Sequence, residues 1–438
     1  MRNVFDQYVH PENRLTHALV CCLAEDSNLL ASFLRWLGIA PPRGERLQVV
    51  EQRLPGEAEE RREASELVER RLPDAWIYSE SGWALLIESK IASPIDAAQL
   101  RGHLAIAERR GFTSAQLLVL SPLPSLHALP NRCLHRRWSD LYQWIAAERG
   151  SAWARHLVSY FPIAEQRMVD DGYLLEGTLT TFTGIQFGPD HPYTYLEAKR
   201  LLRLLMAELR SKSSLDAVGI NRSGEGRPAI TEGADSVWDF LPLAVAASGA
   251  AFTKYPHATV SLQRDRLIAQ ITLPNELNGP LRRAVLASGY PAFKAAVTAC
   301  VQALTPLLKS DPGASPIVII QQRRYASQRS VPERDALVEF DPRTAVGGHP
   351  AVKLQEEWLR AAYQAFLAKQ SNLQLAVGVT FPYAKSTRVR DASLASAIAE
   401  AWAGMQPLLE RLQSIAAKPS MATRRSQQAA QADVVSTS

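Results

Sequence analysis

The sequence predicts an α/β protein built as two folded domains, 1–165 and 175–417, followed by a tail, 418–438. Three observations carry that expectation. Leu15, Ala18, Leu19 and Leu23 recur at helical spacing. Two apolar runs, 72–78 and 83–90, flank Glu80-Ser81-Gly82 as the arms of a hairpin. Beyond residue 175 long helical stretches alternate with short strand-like runs, and 438 residues leave room for two or three domains of about 100–200 residues each.

Composition narrows the class. With 49 Lys+Arg against 44 Asp+Glu the formal charge is +5, compatible with a nucleic-acid partner without requiring one. Cys21, Cys22, Cys133 and Cys300 show no CxxC or metal-ligand spacing, which argues against a disulfide scaffold and a zinc ribbon. The opening residues lack the apolar run of a secretory signal. The longest apolar stretch, 241–252, is too short to span a bilayer and contains Pro242 and Gly249. A reducing cytoplasm is the expected location, with no membrane association.

The elements follow in order. Pro11 suits the first turn of a helix that carries the Leu15–Leu23 stripe. A second helix, 28–37, ends at Gly38 before Pro41-Pro42, and 47–54 reads as a strand. The charged segment 57–71 reads as surface. In the hairpin, Gly82 fits the left-handed position that closes a three-residue loop. Ser93 and Pro94 read as N-cap and N1 of a helix whose apolar stripe is Leu100, Leu104 and Ala107, stopped by Gly111. A buried strand at 115–120, a short one near 134–138 and a helix from Ser139 complete the domain. The tail is rich in Ser, Gln, Ala and Thr without apolar period and reads as disordered.

The hairpin carries the chemistry. A loop at 80–82 centres it on Ser81, so Asp74 faces Glu88 across the strands. Side chains alternate along a strand, so Glu88 and Lys90 share a face while Leu85 and Ile87 point to the opposite layer. Two carboxylates and an ammonium therefore converge at one end of a sheet. Adjacent carboxylates repel unless a cation intervenes. Mg²⁺ is usually held by one or two carboxylates plus phosphate oxygens and water, and it polarises a phosphodiester and acidifies bound water. A polar hairpin edge is the bland alternative. The unbroken run Leu85-Leu86-Ile87 weakens it, because buried strands rarely end in Glu-x-Lys.

Pro73-Asp74, then thirteen residues, then Glu88-Ser89-Lys90 resembles the PD-(D/E)XK nuclease motif. The surrounding order resembles that superfamily's restriction-endonuclease-like αβββαβ core, over roughly residues 5–160. The run 138–144 (WSDLYQW) resembles the segment that follows the core in bacterial members. The resemblance implies a Mg²⁺-dependent phosphodiester hydrolase, with Mn²⁺ as a substitute. Asp74 and Glu88 would be metal ligands and Lys90 would position or activate the attacking water. Glu12, at the place of the first-helix acid, would be a further ligand, although it equally suits the helix dipole. Gln99 corresponds to the glutamine on the helix after the motif strand. His103 shares that face but has no second ligand in spacing and reads as a surface histidine. Glu51 is a weak additional ligand candidate.

The second region reads as an α+β accessory domain. A hairpin at 258–273, a helical region 280–309 broken near Gly289, strands at 316–322 and 336–341, a helix 353–369, a strand 373–381 and a helix 392–417 suggest a ferredoxin-like split motif. The stretch 193–210 reads as a helical connector. Recognition, sensing, oligomerisation or partner binding are the roles open to this domain. Two basic clusters suit phosphate contacts. One is Arg132, His135, Arg136 and Arg137 beside Trp138. The other is Arg323, Arg324, Tyr325, Arg329 and Arg334 in an inter-strand loop.

The expected function is a metal-dependent nuclease, with DNA favoured as substrate, in the manner of a bacterial restriction or antiphage effector. The alternative is a catalytically silent nucleic-acid or protein-binding module on the same scaffold.

Overall fold

The computed structural model describes residues 5, 10–55, 72–124, 128–173, 177–227, 236–246, 251–324, 333–347, 354–368 and 373–416. The segments expected as a charged surface, 57–71, and as a disordered tail, 418–438, lie outside the described residues. The chain divides into two compact units, Met1–Thr181 and Phe182–Ser438. The first reaches past residue 165 because Glu165, buried, accepts hydrogen bonds from the backbone N–H groups of Leu179 (2.6 Å) and Thr180 (3.1 Å).

The first unit runs α1 (Pro11–Glu25), α2 (Ser27–Leu37), β1 (Gln48–Glu51), β2 (Ala75–Tyr78), β3 (Trp83–Ser89), α3 (Ala97–Arg109), β4 (Ser114–Ser121), β5 (Cys133–Arg137), α4 (Trp138–Ala147) and α5 (Ala152–Asp170). Its five strands lie in sequence order; β1, β2 and β3 are antiparallel and β3, β4 and β5 parallel. Such a sheet needs cover on both faces, and alternation along β3 supplies apolar groups to each. Leu85 and Ile87 join the core made by α1, α2, α4 and α5, whereas Ala84 and Leu86 pack against Leu100, Leu104 and Ala107 of α3.

Local signals explain most of the ends. Pro11 stands at the start of α1, Asp26 caps α2 by accepting from Leu29 N–H (3.0 Å), and Gly38 ends it at φ 76°. The expected cap of α3 shifts: Asp96, not Ser93, accepts from Ala98 N–H (2.8 Å), and Ser93-Pro94-Ile95 lies before the helix. A carboxylate aimed at the second helical N–H offsets the dipole as well as an orphan donor.

The second unit contains α6 (Tyr195–Ser211), α7 (Ser214–Ala217), β6 (Val237–Pro242), β7 (His257–Leu262), β8 (Arg266–Leu273), α8 (Gly279–Leu286), α9 (Gly289–Ala303), α10 (Thr305–Ser310), β9 (Ser315–Arg324), β10 (Glu333–Phe340), α11 (Arg343–Val346), α12 (Glu356–Leu367), β11 (Leu373–Pro382), α13 (Leu394–Gly404) and α14 (Gln406–Ala416). Its antiparallel sheet has the order β10-β9-β11-β8-β7-β6. This corrects the ferredoxin-like expectation. The β-α-β-β-α-β succession is present from β8 to β11, but the strand between β8 and β9 is the fourth of that series, β11, and not the third. The stretch around 193–210 is likewise no connector, since Leu201, Leu202, Leu205 and Leu209 of α6 are buried in the unit's core. Among the described residues, only Gly289–Ser310 is long and apolar enough to cross a membrane. Phe293, Val297, Cys300, Leu304 and Leu307 of that run are buried in the same core.

Candidate active site

The hairpin sets the site. Ala75, Trp76, Ile77 and Tyr78 pair with Ile87, Leu86, Leu85 and Ala84, the register that a loop centred on Ser81 requires. Ser79 N–H donates to Trp83 C=O at 3.0 Å to close the three-residue loop. Gly82 sits at φ 86°, and a Cβ there would come 2.9 Å from the Gly111 carbonyl oxygen, so two independent constraints demand glycine. Asp74 consequently stands just before β2, opposite Glu88 near the end of β3. Both lie on the α3 face.

Each carboxylate is held. Asp74 Oδ2 accepts from Ser89 N–H at 2.7 Å. Glu88, 2% exposed, accepts at Oε1 from Gln99 Nε2 (2.8 Å) and pairs there with Lys90 Nζ (2.7 Å). Its Oε2 lies 3.1 Å from His103 Nε2, an ion-pair distance without hydrogen-bond alignment, which leaves that oxygen buried and unbonded. Lys90 is fixed through its backbone, whose N–H donates to Leu120 C=O (2.8 Å) and whose C=O accepts from Trp138 Nε1 (3.3 Å).

Electrostatics separate the two acids. Burial and the Glu88 charge hold the Asp74 pKa well above the usual carboxylate range. Burial also presses the Glu88 pKa upward, but His103 and Lys90 outweigh it and the net shift is downward. Burial likewise opposes the charged form of Lys90, and the carboxylates of Glu88, Asp74 and Glu12 reverse this and raise its pKa. The cluster is thus one ionised acid, one acid inclined to keep its proton, and one ammonium.

Of the expected residues, Asp74, Glu88, Lys90 and Gln99 meet. Glu12 approaches from α1, where its Oε1 accepts from the N–H groups of Ile91 (2.7 Å) and Ala92 (3.3 Å) and so anchors the chain leaving β3. Among the described residues no group of three or more His, Cys, Asp or Glu is disposed to hold a metal ion. Glu51 is engaged elsewhere, with His17 Nδ1 at 2.7 Å; the Cys21 thiol and the Glu51 carboxylate hold the His17 pKa up at about 10. His103 is not a surface residue but 1% exposed. Its spacing of one turn from Gln99 was the available signal. Thr16, one turn beyond Glu12, was missed; its hydroxyl pairs with Ser89 Oγ at 2.6 Å and braces the motif strand from the other layer.

The basic residues are partly committed to the protein. Arg137 forks onto Asp140 (3.0 and 2.6 Å), and Arg136 lies over the Trp36 ring at 5.6 Å. Arg323 and Arg324 lie within β9 and not in a loop, with Arg324 paired to Glu333 at 2.6 Å. Tyr325 and Arg329 lie outside the described residues, as does the side chain of Arg334. A scan against protein-family models and a search of curated proteins both find no match to this chain.

Proposed function

We propose that the first unit is a divalent-metal-dependent nuclease that hydrolyses phosphodiester bonds, with DNA as the favoured substrate and a restriction or antiphage role as its setting. The observation that supports this reading is the convergence of Asp74, Glu88 and Lys90 at one end of the mixed sheet, in the register of the PD-(D/E)XK motif. The helix–strand order and the α3 face carrying Gln99 accord with a restriction-endonuclease-like core.

The donor set fits a hard cation. Two facing carboxylates, one with its pKa raised by burial and its neighbour, form a site that a divalent charge relieves. Mg²⁺ needs only one or two such ligands when water and phosphate oxygens complete its shell. Asp74 and the unbonded Oε2 of Glu88 would hold it; when bound, it supplies polarisation of the scissile phosphate and acidification of water. Gln99 and Lys90 fix Glu88 by binding its other oxygen, leaving the carboxylate one orientation. The Lys90 ammonium, kept protonated by its neighbours, orients water and stabilises charge developing on phosphate. Free Cys21, Cys22, Cys133 and Cys300 accord with a reducing compartment.

The test is cleavage of DNA and RNA by the full chain across Mg²⁺, Mn²⁺ and EDTA. DNA should be nicked or degraded only with metal, and Lys90→Ala should lose about 100-fold or more while keeping the wild-type circular dichroism. Equal activity of wild type and Lys90→Ala would refute the mechanism. A binding module without turnover is the competing reading. It predicts salt-sensitive binding and no metal-dependent cleavage.

A further inference from the structure

The six-stranded sheet of the second unit has two unlike faces. Val260, Ala269, Ile271, Val318, Val377 and their neighbours meet the helices in the main core. On the other face the apolar residues Ile268, Ile317, Ile319 and Ala376 form a small cluster containing strand residues alone. Around it lie polar side chains that are nonetheless buried: Thr259, Gln270 and Thr272 are 4%, 8% and 3% exposed. These polar groups line a hollow in that face. The hollow has a volume of about 240 Å³.

Its chemistry is specific. Gln270 Nε2 donates to Thr272 Oγ1 (3.3 Å), and the Thr272 and Thr259 hydroxyls pair at 2.7 Å. That chain leaves Gln270 Oε1 buried with no hydrogen-bond partner. A buried amide oxygen without a donor is costly, and such an atom lining a hollow asks for an N–H or O–H from a ligand or water. Gly378 faces Gln270 across β11 and β8, and a Cβ there would collide with the Ala269 carbonyl oxygen and come 2.5 Å from the Gln270 Cα. Glycine in mid-strand is unfavourable unless something must approach closely, and here it lets the β8 backbone that carries Gln270 lie close against β11. Trp238 and Phe252 form an aromatic wall, with ring centroids 6.1 Å apart, and Ile268 and Ile319 an aliphatic one. Arg323 borders the same hollow, as does Glu339, whose charge is met by Arg266 at 2.8 Å.

We propose that this hollow is a binding site for a nucleobase, stacked on one ring of the edge-on Trp238–Phe252 pair, donating an N–H to Gln270 Oε1 and directing its phosphate toward Arg323. The volume suits one ring system: it lies below the roughly 300–1,000 Å³ of sites for drug-sized ligands. A planar heterocycle with edge N–H donors matches the aromatic wall and the orphan oxygen together, whereas a lipid chain lacks the donor. The inference concerns the second unit alone and stands whether or not the first unit cleaves nucleic acid.

The source of the base, free nucleotide or single strand, is resolved by the test. Full-chain protein in EDTA, where no cleavage occurs, is titrated with AMP, GMP, CMP, UMP, ribose 5-phosphate and a six-nucleotide DNA single strand. Calorimetry and tryptophan fluorescence read the binding. Binding of at least one nucleoside monophosphate below about 1 mM, with ribose 5-phosphate at least about tenfold weaker, supports a free-nucleotide site. Binding of the oligonucleotide alone supports a base within a strand. In either case Gln270→Leu should weaken binding about tenfold or more, and Thr259→Val gives the same reading should Gln270→Leu fail to fold. No binding by any probe, ribose 5-phosphate binding as tightly as the nucleotides, or undiminished binding in a folded variant overturns the proposal.

Discussion

Replacing Asp74 with asparagine should stabilise the metal-free protein while destroying metal-dependent activity. Facing strand positions place Cβ atoms about 5 Å apart. Were both carboxylates ionised at about that distance, they would repel by about 3 kcal/mol at an effective dielectric of about 20, a cost that Asp74 escapes in part by holding its proton. The Lys90 ammonium, 2.7 Å from Glu88, offsets part of this, so the net gain expected is about 1–2 kcal/mol. Asparagine keeps the acceptor for Ser89 N–H, so no hydrogen bond is lost. At about 2–4 °C per kcal/mol for a domain of this size, the melting point should rise by about 2–8 °C. The folded pKa of Asp74 lies above its unfolded value of about 3.9. Stability contributed by the neutral carboxyl is therefore complete below about pH 4 and is lost as pH rises through the folded pKa. Asparagine never loses it, so the variant's advantage should vanish in acid and grow toward neutrality. Urea unfolding of both proteins in EDTA from pH 4 to 8 measures this. A variant less stable than wild type at pH 7, or an advantage independent of pH, would refute the reasoning.

Other outcomes follow from single contacts. His103→Ala removes a group that holds the Glu88 pKa down, so the acid limb of the cleavage profile should move to higher pH; an unmoved limb contradicts that role. Gly82→Ala should cost about 1–3 kcal/mol in urea melts, since alanine meets both the positive φ and the Gly111 carbonyl; a neutral result would mean that the loop re-forms differently. Arg136→Ala combined with Arg137→Ala should lower the slope of log affinity for DNA against log salt by about two if both arginines meet phosphates. An unchanged slope would leave them to Trp36 and Asp140.

The legible parts of the site were those fixed by local rules. A three-residue loop closed by Gly82 determines the register, and register determines that Asp74 meets Glu88. The stripe Leu100, Leu104, Ala107 fixes the rotation of α3 and with it Gln99. His103 reads as a surface residue because no second ligand accompanies it in spacing, although the same helical arithmetic that places Gln99 over Glu88 places it there. Asp96 outcompeted Ser93 as cap through its charge at the helix start. The strand order of the second unit was not readable, because the insertion of β11 between β8 and β9 is a non-local pairing that no turn dictates. Nor does a run of arginines reveal every partner: Glu333 claims Arg324 across the β9–β10 pair, although Arg137 meets Asp140 locally, three residues on at the start of α4.

Manganese binding tests the central assignment most directly. Titrated with Mn²⁺ and followed by electron paramagnetic resonance, the wild-type chain should bind the ion at a site that is lost when Asp74→Asn and Glu88→Gln are combined. The same Mn²⁺ stoichiometry and affinity in that folded double variant would contradict the assignment of these two carboxylates as the metal site.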